Sequence, residues 1–214
     1  MRENELFEAL RNGDAAATAL LLDSDPSLLD CRQNGISPIL FAVYNGHAAL
    51  SELFVERGAI LSFSEACALG DQAQALPMLD ACPELLDAFS DDGFPAVGLA
   101  VFFGHAVLAR ALIERGADVN AAARNSFCVA PVHAAAAARD VATMKLLIDH
   151  GANVNARQQM GYTALHTAAQ LGDLAMVDLL LAAGADPHAA GDDGATPAGL
   201  AGNHGHSAIG ERLS

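Results

Sequence analysis

Seven positions recur along this chain in the same setting. They are Gly13, Gly46, Gly70, Gly104, Arg139, Gly172 and Gly205, with Arg139 standing where a glycine is otherwise found. Each closes a short helical run and is followed by a second, apolar one. The successive steps are 33, 24, 34, 35, 33 and 33 residues. Self-similarity at such a fixed period is the mark of a stack of small units, each unable to bury its apolar face alone. Seven positions imply seven units.

The local motifs repeat in register. Residues 161–173 read Gly-Tyr-Thr-Ala-Leu-His-Thr-Ala-Ala-Gln-Leu-Gly-Asp; Pro131-Val132-His133-Ala134-Ala135, Ser37-Pro38-Ile39-Leu40 and Thr196-Pro197 are further copies of its opening. Proline in a first helical turn gives up no hydrogen bond and presets φ. A Thr or Ser just before it can cap the helix. Paired alanines let neighbouring helices approach closely. The residue after each repeat position is Asp14, His47, Asp71, His105, Asp140, Asp173 or His206; Asp there is a good N-cap for a second helix. Gly151-Ala152-Asn153-Val154-Asn155, Gly116-Ala117-Asp118-Val119-Asn120 and Gly184-Ala185-Asp186 supply left-handed exits from it.

These motifs closely resemble the ankyrin opening G-x-T-P-L-H-x-A-A-x-x-G-x and its Gly-Ala-Asp-Val-Asn exit. The resemblance runs over essentially the whole chain and implies an all-α ankyrin solenoid of about seven helix-turn-helix units with short β-hairpin tips. As a single domain over 1–214, the units are expected at roughly 1–31, 32–60, 61–88, 89–121, 122–157, 158–190 and 191–214. A second periodicity overlies the first. Leu21 to Asp30 matches Met78 to Asp87, so 6–60 and 65–118 read as a tandem duplication whose first units end in a D-x-x-P-x-L-L-D-type connection. The short 24-residue step leaves no room for a full tip between Ile60 and Phe63, which predicts an irregularity there.

Composition bounds the partners. The chain has 214 residues, a formal net charge of −15 and 5% aromatics without Trp. Binding to nucleic acid or to an anionic membrane needs clustered Lys and Arg, so neither is expected. Cys31, Cys67, Cys82 and Cys128 form no C-x-x-C pair and read as small apolar residues of a reducing compartment. No signal peptide or long apolar run is visible, and a cytoplasmic location is expected. Ten Arg against the single Lys145, with abundant Ala and Gly, fit a stand-alone protein of a high-GC bacterium.

The family resemblance implies a protein partner held in a concave groove of first helices and hairpin tips. Projected onto this sequence, the groove positions carry Tyr44, Phe94, Phe102, Phe103, Phe127 and Tyr162. These are six of the eleven aromatic residues, nine Phe and two Tyr. Such positions are usually polar, and exposed apolar surface marks an interaction site. Asp92, Met160, Gln170 and Leu171 complete the expected contact set, and Asp91, Gln158 and Gln159 its rim. Packing of neighbouring tips on one another is the competing structural account. The acidic tips favour a partner with a basic rim. The tip at 124–131 is expected to be the longest.

No motif for covalent, phosphate or dinucleotide chemistry occurs, and no cofactor is expected. His133 and His166 hold the family's T-P-L-H position; His47, His105 and His206 begin second helices. His204 with His206 lacks a third ligand for a metal. Binding without catalysis is therefore the leading expectation, by a monomer. An enzyme or small-molecule site at the junction 60–70 is the alternative, and a stack that self-associates through its aromatic face is a third. The glycine-rich segment 194–214 is expected to fray first.

Overall fold

Short, individually capped helices set the architecture. In the computed structural model residues 2–213 are described, and they form fourteen α-helices in seven successive pairs. The pairs are α1 Arg2–Arg11 with α2 Ala15–Ser24, α3 Pro38–Tyr44 with α4 Ser51–Glu56, and α5 Phe63–Leu69 with α6 Gln72–Ala81. They continue with α7 Ala96–Phe102 and α8 Ala106–Glu114, then α9 Pro131–Ala137 and α10 Val141–Asp149. The last two are α11 Ala164–Leu171 with α12 Leu174–Ala182, and α13 Pro197–Asn203 with α14 Ser207–Arg212. The first helices pack in an unbroken row from α1 to α13, and each second helix packs on its own partner. The fold is the all-α repeat solenoid the sequence implies.

The caps account for the helix starts. Asp14, Asp71, Asp140 and Asp173 each accept a backbone N–H three residues on, at 2.9–3.1 Å. Ser37 and Thr196 do the same for helices that begin with proline. Each such cap contributes about 1 kcal/mol. Histidine does something different at the equivalent place: His47, His105 and His206 make no side-chain cap bond.

The exits also differ by sequence. In the Gly-Ala-x-Val-Asn exits one asparagine clamps the next: the Asn120 amide donates to the Gly151 carbonyl at 3.2 Å and its oxygen accepts the Asn153 N–H at 2.8 Å. Asn155 repeats this on Gly184 and Asp186. The two D-x-x-P-x-L-L-D-type connections instead coil into matching 3-10 turns, Pro26–Asp30 and Pro83–Asp87. The two connections of the duplicated segments thus fold alike.

Two main apolar clusters form the interior. One runs from Leu6 to Leu61 and the other from Phe63 to Leu213. The division falls at the short step, where residues 58–62 pass from α4 to α5 with no tip between them. A small third cluster of Leu40, Val43, Ala68 and Leu99 bridges the two.

Candidate protein-binding groove

The hairpin tips are closed by single pairings rather than by strands. Gln33 pairs with Ile36 and Phe89 with Pro95 as isolated bridges. Later tips close by one bond each: Ala123 N–H to Val129, Gln158 N–H to Tyr162 and Gly191 N–H to Ala195. From the fourth pair onward consecutive tips are joined by backbone. Arg124, Gln159 and Asp192 donate to the carbonyls of Gly93, Phe127 and Met160, all at 2.8 Å. The tip spanning 123–129 is longer than those at 158–162 and 191–195, as the 35-residue step implies.

The third pair has no tip, so the second must reach the fourth across the gap. Gly35 lies against the Asp91 carbonyl, and Arg32 pairs with the Asp91 carboxylate at 3.5 Å. Behind this contact the Tyr44 ring of the second pair meets two rings of the fourth. The Tyr44 centroid is 6.2 Å from that of Phe94 and 5.7 Å from that of Phe103, and Phe103 meets Phe102 edge-on at 5.1 Å.

An open cavity of about 390 Å³ lies in front of these rings. Ile36 and Tyr44 form one wall; Asp92, Phe94, Leu99 and Phe102 form the next; Phe127, Val129 and Ala134 close the far side. Gly98 belongs to the lining and helps explain it. It holds the place that His133 and His166 hold in later pairs, where an imidazole accepts the cap N–H and ties to the next tip. A glycine there leaves no such side chain. Phe102 and Phe127 remain 50% and 51% exposed at the mouth.

Two polar groups interrupt this apolar lining. The Tyr44 hydroxyl is enclosed without a partner at hydrogen-bonding distance, and the Asp92 carboxylate is the polar group that acts on it. Burial, and after it the neighbouring Asp92 carboxylate, push the phenol above its ordinary ionisation range. Asp92 accepts the Ser90 hydroxyl, and its backbone carbonyl accepts the Asn125 amide at 2.9 Å. Among the described residues its carboxylate has no ion-pair partner.

The structure therefore brings together five of the ten residues expected in the contact set: Tyr44, Asp92, Phe94, Phe102 and Phe127. Phe103 supports them from behind. Tyr44 packs on Phe94 and Phe103, as the structural account expects, while Phe102 and Phe127 stay exposed. The other four do not line the cavity. Met160 is 52% exposed on its tip, with φ +62°, and Gln170 and Leu171 lie exposed at the end of α11. The Tyr162 ring stacks on His166 at 4.9 Å and its hydroxyl donates to Asp193 at 2.9 Å, so it is engaged in holding adjacent tips. Gly98, Leu99 and Ala134 were not singled out from sequence. Only the absence of histidine at 98 could have pointed to them.

The junction itself is tied by Glu65. This buried carboxylate accepts the Ser37 hydroxyl at 2.6 Å and the Ser62 N–H at 2.7 Å, completing a capping box. It does for α5 what the histidines do later, but it links backwards instead of forwards. A smaller hollow of about 190 Å³ lies beside it. Burial pushes the nearby Cys67 thiol up to about 12, so it is protonated at neutral pH and a poor nucleophile. His204 and His206 each engage a backbone carbonyl, of Leu200 at 3.0 Å and of Gln170 at 3.2 Å. Among the described residues no helix is long and apolar enough to cross a membrane.

Comparison with known families finds the same repeat. Residues 121–191 match the family described as ankyrin repeats (3 copies), and residues 92–124 match the single ankyrin repeat. No curated protein matches the chain. Ankyrin repeats are in general modules that bind other proteins and do not catalyse reactions. Residues 92–191 are thus ankyrin repeats, and helix pairs of the same design extend on both sides of that span.

Proposed function

We propose that this protein captures a protein partner through the groove formed by its first helices and tips, without catalysis, and that the centre of contact is the cavity at the missing third tip. The observation that carries this reading is the half-exposure of Phe102 and Phe127 at the mouth of an apolar cavity. Monomers seldom leave such rings in water without a use, and aromatic anchors dominate interface energetics. Met160, Gln170 and Leu171 extend the contact along the stack. The net charge of −15 favours a partner with a basic rim and disfavours nucleic acid. Four free cysteines suit a reducing compartment, and we place the protein in the cytoplasm as a monomer of seven units with the boundaries given above.

The test is affinity capture from the native host, comparing wild type with a Phe102→Asp, Phe127→Asp double variant. Both rings are half-exposed, so the double variant should retain its helical circular-dichroism spectrum and melting transition. A partner held by wild type and lost by the variant, then rebound in purified form with the same difference, supports the groove. A purified partner that binds both alike overturns it.

A further inference from the structure

The cavity has a chemical polarity that narrows what enters it. Its body is aliphatic and aromatic, but one edge carries the half-buried Asp92 carboxylate beside the enclosed Tyr44 hydroxyl. Nearby cations are already engaged elsewhere: Arg32 on Asp91, and Arg124 over the Phe89 ring at 3.7 Å. Asp92 is thus an unpaired anion at the rim of an apolar hollow, in a chain with a net charge of −15. A cation arriving there meets attraction and no resident competitor.

The size of the apolar surface decides between a small molecule and a chain. A volume of about 390 Å³ is near the lower end of ligand pockets, about 300–1,000 Å³. The exposed faces of Phe102 and Phe127 continue outside it, so an occupant confined to the hollow would leave them in water. An occupant that covers them must extend beyond the hollow along the tips, as a polypeptide does.

We propose that the cavity takes one large apolar side chain of the partner, and that the residue adjacent to it in the partner is Lys or Arg, whose cation pairs with Asp92. This deepens the protein-binding reading and rests on it. The anchor supplies affinity by burial against Phe94, Leu99 and Val129; the cation fixes which end of the segment lies towards Ile36.

Capped tetrapeptides Gly-Phe-Arg-Gly, Gly-Phe-Gln-Gly and Gly-Ala-Arg-Gly, together with phenethylamine, serve as probes in NMR titrations of the full chain. The Phe-Arg peptide should cause saturable shifts at the amides of Gly98, Phe102 and Val129, while the Ala-Arg peptide should not. Asp92→Asn keeps an oxygen for Ser90 and should weaken the Phe-Arg peptide by about threefold or more, in the range of a partly exposed ion pair. The same variant should weaken the Phe-Gln peptide by a smaller factor than the Phe-Arg peptide. Equal binding of the Phe-Arg and Phe-Gln peptides to wild type, or saturable shifts only elsewhere, overturns the paired-cation anchor. So does phenethylamine binding as tightly as the peptide, which would make the occupant a small amine. Concentration-dependent broadening at these amides without any probe would mean that a second copy covers the groove, and also overturns it. A captured partner that needs Phe102 and Phe127, together with peptides that cannot be told apart, leaves the protein-binding function standing and removes only this inference.

Discussion

The His105 ring sits over Gly70 of the preceding helix pair, and its Nε2 donates to the Ala68 carbonyl at 2.9 Å. A Cβ built on Gly70 would lie 2.3 Å from His105 Nδ1. The same relation recurs for Gly13 with His47 and for Gly172 with His206. Where the following pair begins its second helix with Asp, the space is open: Gly46 and Gly104 have nothing within 4 Å of a built Cβ. This explains Arg139. It precedes a pair whose second helix is capped by Asp173, so its side chain is free to reach across to the Leu171 carbonyl at 2.8 Å.

Gly70→Ala and Gly104→Ala therefore separate two costs. Both glycines have positive φ, +71° and +77°, so both alanines carry a backbone penalty of about 1–2 kcal/mol. Only Gly70→Ala must also displace the imidazole and break its bond to Ala68, which adds about 1 kcal/mol. Urea unfolding should show Gly70→Ala as clearly the more destabilising, and His105→Ala should abolish the difference. Equal losses in the two single variants would show that the ring relocates freely.

How far this was legible follows from what each residue depends on. The repeat spacing, the Asp caps and the missing tip at 60–63 are local properties of sequence, and the fold follows them. The cavity is not local. It needs Gly98 in place of a histidine, the absent third tip, and rings from the second, fourth and fifth pairs brought side by side. Sequence positions put Phe102 and Phe127 among the expected groove residues, and both rings lie half-exposed at the cavity mouth. Those positions could not separate these from Tyr162, whose stacking on His166 and bond to Asp193 depend on the next tip. Nor could they reveal that Glu65 takes over the histidine's capping duty.

Tyr44→Phe tests the enclosed hydroxyl. The group has no partner at hydrogen-bonding distance, with only the Asp92 carboxylate close enough to act on it, and an unsatisfied buried hydroxyl ordinarily costs about 1–3 kcal/mol. Removing it keeps the ring contacts with Phe94 and Phe103. Tyr44→Phe should leave the free protein as stable as wild type or more stable by about 1 kcal/mol, read from the urea midpoint. A loss of more than about 1 kcal/mol would mean that the hydroxyl has a partner in solution.

His133 makes stability pH-dependent. Burial holds its pKa below the ordinary 6.5, against the opposing pull of its backbone hydrogen bonds. Its Nδ1 accepts the Ala130 N–H at 3.0 Å while Nε2 faces the Ala156 carbonyl at 2.9 Å, an arrangement that requires the neutral ring. Burial likewise lowers His166. Well above pH 6.5 neither the folded nor the unfolded chain carries a proton on these rings, and their contribution to stability is complete. Below 6.5 the unfolded chain takes up protons that the folded chain resists, so stability falls until the folded pKa is passed. Urea midpoints should fall between about pH 7.5 and 5.5, and fall less in His133→Gln. The difference between the two proteins isolates this ring from the general loss of negative charge. Identical slopes would show that His133 does not report on folding.

Stability should decline towards the last pair. Helices α13 and α14 contain Gly199, Gly202 and Gly210, each costing about 1 kcal/mol relative to Ala in a helix interior. Only Pro197, Ala201 and Ile209 are buried within them, whereas α11 buries Ala164, Leu165, His166, Ala168 and Ala169 between neighbours on both sides. In a stack, each pair draws stability from its neighbours, and the α13–α14 pair packs through α13 on α11 before it. Native-state hydrogen exchange should find the amides of 197–212 opening at lower free energy than those of α9 and α11. Deleting residues 194–214 should then lower the urea midpoint of the remainder only slightly. Protection of 197–212 equal to that of α11 would mean that the chain opens as one cooperative unit, and the neighbour-by-neighbour account of its stability would fail.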